Sequence, residues 1–320
     1  MIAGWVVMGV DGSRIECPRT AANEAALGCA GKKRTTPQQL VTTVLHVGTG
    51  LIWDWRRGGG KEAERVHLRQ MLATLPAGAL LLADAGFTGY ELLRDLLAGG
   101  RSFIIRAGAH VRLLKKLGLA VREYDGIVYL WPQGHREQAP LVLRLVVLRD
   151  GRKEVCLLTN VLKEADLSDR QVGEMYRRRW GLEVFYRSLK RTMEKHKLRS
   201  RSPDKAAVEL DWALAGLWLL GLLTVTRLMR RRVNPQDWSV AESLRIVRRV
   251  MVGRGGRRAA RGLCGLQRAV KDGYTRRRPK MARDWPHKKT ELPPKPPIIR
   301  TARRQERLKA QRFKDKNIAA

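Results

Sequence analysis

The sequence predicts an α/β protein: a mixed-sheet core, a β-rich block inserted into it and a helical C-terminal part. Three observations predict this. Continuous apolar runs of strand length recur before residue 110 and end at acids or glycine turns. Alternating apolar stretches crowd residues 111 to 160, separated by Gly and Pro turns. Helical periodicity takes over from Ser168. A chain of 320 residues can bury a sizeable core in one large domain or two ordinary ones.

Taken in order, WVVMGV (5 to 10) reads as a buried strand meeting a turn at Asp11 and Gly12. LVTTVLHV (40 to 47) and LIWDWR (51 to 56) flank Gly48-Thr49-Gly50 and predict a hairpin. Residues 62 to 75 suit an amphipathic helix with Val66, Leu68, Met71, Leu72 and Leu75 apolar. ALLLADAGF (79 to 87) is a second buried strand carrying an acid, Asp84, followed by the short helix GYELLRDLL and the strand SFIIRAG. These elements form the first part of the core, residues 1 to 110. In the inserted block the strand candidates are VREY, IVYLW, LVLRLVVL and EVCLLT. Residues 161 to 250 then complete the core with helices. Ser168 and Gln171 make a capping box, and one helix is expected to run on to about Lys197. A second, AAVELDWALAGLWLLGLLTVTRLM (206 to 229), is apolar nearly all round and is expected deep in the core.

The charge narrows the function. Against 64 Lys and Arg stand 30 Asp and Glu, a net +34 that would repel itself unless a polyanion neutralised part of it, so nucleic acid is the expected partner. Residues 251 to 320 hold 22 basic residues against 5 acidic ones, with Gly-Arg clusters and the run LPPKPPI. With few apolar residues at regular spacing, this stretch is expected to be a disordered, phosphate-seeking tail. No membrane role is expected: the N-terminus has no basic region before its apolar residues, and the longest uncharged run, Trp212 to Thr226, is shorter than the roughly 18 to 20 residues a bilayer needs. Four scattered cysteines without a C-x-x-C pair suggest neither zinc nor a disulfide framework and fit a reducing cytoplasm.

Asp11 and Asp84 each follow a buried apolar run. Acids at the C-terminal ends of neighbouring parallel strands converge on one crevice, and carboxylates are what hard divalent cations require. Each Asp alone could equally be a turn former. MYRRRWGLEVFYRSLKR carries a third acid. At about 100° per residue, Tyr176, Arg179, Glu183, Arg187 and Lys190 fall on one stripe about 80° wide. Leu182, Phe185 and Leu189 lie on the opposite side. A lone Glu among Arg and Lys could be a salt-bridged surface residue; beside two further acids and a phosphate backbone it becomes a metal ligand.

Tyr176, Arg179, Glu183 and Lys190 occur at the fixed spacing of the signature helix of the insertion-sequence-four type of DDE transposases, which this chain resembles over roughly residues 4 to 230, together with VDGSR at Asp11 and LLADAGF at Asp84. The resemblance implies an RNase H-like catalytic core in which Asp11, Asp84 and Glu183 hold two Mg²⁺ ions, with Mn²⁺ as a substitute. It implies that Arg179 and Lys190 contact phosphates at the transposon end and that Tyr176 fixes the terminal nucleotides; Arg187 joins them from its place on the stripe alone. Family members cleave element ends with water and then use the freed 3′-hydroxyl to attack target DNA, generally as homodimers on paired ends. A cytoplasmic, nucleoid-associated enzyme is therefore expected. Members usually carry an N-terminal region before the first Asp that helps recognise element ends. Here Asp11 lies ten residues from Met1, which leaves a truncated chain, an internal start or reliance on the basic tail. The rival readings are a catalytically inactive remnant that only binds DNA, another RNase H-like nuclease such as a junction resolvase, which needs no Tyr-Arg-Glu-Lys stripe, and a basic ribosome-associated protein, which leaves the acids unexplained.

Overall fold

The computed structural model describes residues 2, 4–30, 36–120, 123–150, 153–252, 262–272 and 295–314. The chain divides into one compact unit of residues 1–219 with 296–320 and another of residues 220–295. The first unit contains a ten-stranded mixed sheet. Its first half is built from β1 (Val6–Glu16), β2 (Gln38–His46), β3 (Leu51–Gly59), β4 (Ala79–Ala83) and β5 (Ser102–Arg106), in the order β3-β2-β1-β4-β5. β1 pairs antiparallel with β2 and β2 with β3, while β1, β4 and β5 run parallel. This is the mixed-sheet core the sequence predicts. The helices are α1 (Ala21–Leu27), which the sequence reading does not anticipate, α2 (Glu64–Met71) and α3 (Tyr90–Ala98).

Period-two alternation buries both faces of this half. Met8, Leu81, Ala83, Phe103 and Ile105 pack with Leu68 and Met71 of α2 and Leu92, Leu93 and Leu96 of α3. Val7, Leu80, Leu82 and Ile104 face the other way, onto Val172 and Met175.

The predicted β-rich block is not a body apart. β6 (Arg112–Lys115), β7 (Ile127–Leu130), β8 (Leu141–Asp150) and β9 (Lys153–Thr159) extend the same sheet, with β9 joining antiparallel to β5. VREY forms no strand among its described residues, Glu123 and Tyr124. β6 takes its place and pairs with β7 instead.

The tail requires a larger correction. Residues 253–261, 273–294 and 315–320 lie outside the described residues, but β10 (Ile298–Thr301) pairs parallel with β6, and α8 (Arg304–Gln311) follows it. Ala302, Ala310 and Phe313 are buried with Trp131, Tyr129 and Leu114, and the Phe313 ring meets Trp131 edge-on with centroids 6.2 Å apart. Three apolar side chains at these spacings leave no periodic signature. They are held because a ready-made apolar face on β6 and β7 accepts them and the edge of β6 needs backbone partners.

The single helix expected from Ser168 to Lys197 is three pieces. α4 (Asp169–Arg177) starts at the predicted capping box. Contacts of the i→i+3 type then tighten the chain through Arg178 to Leu182, ahead of and into α5 (Trp180–Arg187), and a wide π turn covers Ser188–Thr192. The joint lies at Arg178 and Arg179, two residues before Gly181, the expected weak point.

α6 (Pro203–Arg230) is long and apolar enough to cross a membrane, although the uncharged run within it is short. It is not the deep core helix expected: in the first unit Leu210, Leu214 and Leu217 are buried, but Trp212 is 75% exposed. In the second unit α7 (Val240–Val252) packs with a short turn at Cys264–Arg268, and Thr224 Oγ1 donates to Ser243 Oγ.

Candidate active site

The parallel pairing of β1 with β4 sets Met8 against Leu81 and Gly9 against Leu82, and carrying that register two residues further places Asp11 beside Asp84. The sequence reading ended the first strand before Asp11. In fact β1 runs on to Glu16, because its second half keeps its pairing with β2 after β4 has ended. Asp84 caps a short turn and accepts from the Ala85 amide at 2.8 Å, while Asp11 Oδ1 accepts from Gly12 N at 2.9 Å. Burial raises the Asp11 carboxyl above its ordinary value; the Gly12 amide and Arg179 oppose this, and the nearby charges of Asp84 and Glu183 add to it. All three acids therefore lie in one electrostatic neighbourhood.

Arg179 joins them. Its Nη1 lies 3.8 Å from Asp11 Oδ2 and its Nη2 3.5 Å from Glu183 Oε1, and the side chain is only 13% exposed. Burial works against its charge, but Tyr176, Asp84, Asp11 and Glu183 together outweigh that effect. The Tyr176 hydroxyl lies 3.4 Å from Asp84 Oδ1, and burial first, then Asp84, push the phenol up to about 12. Of the predicted stripe, Tyr176, Arg179 and Glu183 thus meet the two aspartates. Arg187 is exposed on α5. Lys190 lies in the π turn, where burial lowers its ammonium pKa and Glu16, five residues beyond Asp11, opposes that shift.

Three features escaped the sequence reading. Tyr186, three residues after Glu183, is buried; its hydroxyl donates to the Asp11 carbonyl at 2.8 Å and accepts from Thr43 Oγ1 at 3.0 Å, so α5 is pinned to β1 and β2 beside the first acid. Gly9 allows that approach, since a Cβ there would lie 2.9 Å from Leu182 Cδ1. Arg106, at the end of β5, reaches to 3.9 Å from Asp84. The third is Glu64, the first residue of α2. A Cβ on Gly12 would fall 2.4 Å from its Oε1, so its carboxylate occupies the space that glycine leaves next to Asp11. Only the basic residue ending SFIIR and the acid opening the helix after the hairpin hinted at Arg106 and Glu64.

Among the described residues, no three Asp, Glu, His or Cys side chains close on one point as they stand. Arg179 holds the position between Asp11 and Glu183, a cation already in place where the donor set is all carboxylate oxygen. That donor chemistry fits hard divalent ions.

Carboxylates brought together at one edge of a mixed sheet, next to a helix that carries arginine, are the setting in which the comparison with known proteins places this chain among the DDE transposases. The chain belongs to the transposase DDE domain family, which matches residues 6–219. It is 27% identical over 277 residues to the Escherichia coli (strain K12) transposase InsG for insertion sequence element IS4, covering 78% of this chain and 59% of that protein. The chain thus spans about three-fifths of the length of this curated relative. Among solved structures, the piggyBac transposase synaptic complex with hairpin DNA aligns with a TM-score of 0.45 and 10% identity, over 84% of this chain and 58% of that one.

Proposed function

We propose that this chain cuts DNA at the ends of a mobile element and transfers the freed strand to target DNA, using Asp11, Asp84 and Glu183 as ligands for two Mg²⁺ or Mn²⁺ ions. The observation that carries the reading is Arg179 suspended between Asp11 and Glu183, with Tyr176 on Asp84. Two of the three acids, from distant parts of the sequence, share one basic side chain that a phosphate could draw away, and the third lies against the tyrosine one turn before it. When bound, paired divalent ions activate the attacking oxygen and stabilise the leaving one. The chain's own part is positional. Asp11 and Asp84 are held by the Gly12 and Ala85 amides, and Tyr186 fixes the helix that brings Glu183.

Arg179, Arg187 and Lys190 are proposed to hold backbone phosphates and Tyr176 the terminal nucleotide. Basic residues also line a cavity of about 850 Å³ beside the Asp84 loop, among them Arg112, Arg300, Arg303 and Lys309. They extend the phosphate-binding surface. A homodimer acting on paired ends in the cytoplasm completes the reading.

The test is nicking of supercoiled plasmid with and without Mg²⁺. Metal-dependent nicking by the native chain and its loss in Glu183→Ala are expected. DNA binding without nicking by the native chain would instead support a remnant that only binds.

A further inference from the structure

The cavity beside the Asp84 loop is more than a patch of surface charge. Among the described residues, Arg112, Arg136, Arg300, Arg303 and Lys309 line it against a single carboxylate, Glu306. That acid is fully engaged. It accepts from Arg136 Nη2 at 2.8 Å, from the two terminal nitrogens of Arg300 at 2.6 and 2.7 Å, and from the Arg303 amide at 2.9 Å. Arg136 is the informative member. Its guanidinium lies 4.2 Å over the Trp131 ring, and its Nη1 is buried with no hydrogen-bond partner among the described residues. A cation on a solvated surface keeps water on every N–H. A buried donor left unmade costs free energy, which an anion in the cavity would offset.

A second observation points to the same kind of ligand. The cavity reaches Thr88, Gly89 and Tyr90 at the start of α3, whose N-cap Gly89 has no side chain to bond the first-turn amides. Glu91, the acid of that turn, is drawn to Arg94 and His135. An uncapped helix start attracts phosphate through its free amides and its dipole. The cavity also borders the predicted carboxylates. His110 lines it, and a Cβ on Gly108 would lie 3.4 Å from His110 Nδ1 and 3.8 Å from the Cβ of Ala85, the residue after Asp84.

Joining DNA requires a freed 3′-hydroxyl and a second phosphodiester at the acids together, so two DNA segments must reach them. The helix α4, which leads to Tyr176 and Arg179, packs on the sheet face of Val7, Leu80 and Leu82. α3 packs on the opposite face, with Leu81, Ala83 and Phe103. Groups suited to phosphate therefore approach the Asp84 turn from both faces.

We infer that this cavity seats the second segment, the target strand, by its phosphates, held between Arg112, Arg136 and the start of α3 and the C-terminal residues Arg300 and Lys309. This rests on the strand-transfer reading above. It deepens that reading by giving element end and target opposite faces of the sheet.

The experiment measures binding of a short fluorescent duplex of arbitrary sequence to the full chain, without divalent metal and over a salt series. Arg112→Ala and Arg136→Gln are each expected to weaken binding about tenfold, the scale of one charge-assisted hydrogen bond, and to lower the salt slope by about one. Arg187→Ala, on the exposed side of α5, should weaken it less than either. Arg136→Gln also loses a bond to Glu306, so thermal unfolding checks its fold; Arg112 is exposed and stands in if that variant unfolds. Native affinity in the folded cavity variants, with Arg187→Ala the weaker binder, would overturn the assignment, and equal losses in all three would overturn the separation of faces. Inorganic tripolyphosphate is the second probe. Tight binding of it by the native chain, lost in the cavity variants while their duplex affinity stays native, would assign the cavity to a free phosphate ligand and end its role as a strand site. Metal-dependent nicking is scored separately. A chain that binds duplex through Arg112 and Arg136 but never nicks would bring down the strand-transfer reading and leave a duplex-binding cavity.

Discussion

The two halves of the ten-stranded sheet are put together differently. In the half formed by β3, β2, β1, β4 and β5, three neighbouring strands run parallel, both faces are covered, and both aspartates emerge side by side at one edge. In the half formed by β9, β8, β7, β6 and β10, most neighbours are antiparallel, and the outermost strand arrives from nearly two hundred residues away to pair with β6. None of the predicted carboxylates lies in this second half. The difference teaches that the predicted carboxylates and the closing of the sheet's far edge belong to separate parts of one continuous sheet. Parallel register places acids; the antiparallel half and its C-terminal strap close an edge.

That division can be broken by substitutions that should separate activity from stability. The largest expected effect is Glu183→Gln, which leaves packing intact but removes a charge that the proposed metal-assisted step would use to the extent of several kcal/mol; nicking should fall about a thousandfold with little change in melting temperature. Plasmid nicking and calorimetry on the same preparation check this, and a comparable loss of stability would show that Glu183 is a structural ion-pair residue.

Phe313→Ala should do the reverse. Emptying the site against Trp131 is expected to cost about 3 kcal/mol, read by urea unfolding, while nicking per folded molecule is retained. No change in the midpoint would mean that the C-terminal segment is only loosely applied.

Glu306 sharpens the same contrast through pH. Arg300 holds its carboxyl down to about 2 against the effect of burial, with the Arg303 amide and Arg136 helping. A depressed folded pKa stabilises above the unfolded value, near 4.5, and that stability disappears as pH falls towards about 2. Glu306→Gln should therefore lower stability by about 2 kcal/mol at neutral pH. The difference from the native chain should shrink to nothing near pH 2. An undiminished difference there would assign the loss to packing instead of charge.

The smallest effect belongs to Tyr186→Phe, which removes the link between α5 and the Asp11 carbonyl. About 1 kcal/mol of stability and a nicking loss well below that of Glu183→Gln are expected. A loss as large as that of Glu183→Gln would make the hydroxyl part of the chemistry.

Local sequence carried a good deal of this. Both buried strands, the hairpin, the capping box at Ser168 and the two aspartates could be read from apolar runs and their punctuation, because burial and turn chemistry act over a few residues. The helix wheel found Tyr176, Arg179 and Glu183 together, but it carried a constant rotation per residue through a tight joint and a wide turn. It therefore put Lys190 on one helical stripe with Glu183, whereas Lys190 lies in the wide turn with Glu16 as its charged neighbour. Glu64 and Tyr186 left little trace, since an acid at a helix start and a tyrosine on an apolar face each have an ordinary local explanation.

What the sequence determined by itself was the kind of chemistry: carboxylates after buried strands, a helix dense in arginine, and a net charge that demands a polyanion. What the tertiary structure decided was which of those groups meet. The β1–β4 register sets Asp11 beside Asp84, the glycines at 9 and 12 admit Leu182 and Glu64, and an open edge on β6 draws in the strand at Ile298. Each of these depends on packing between segments far apart in the chain. Periodicity within one segment cannot encode the surface that another presents to it.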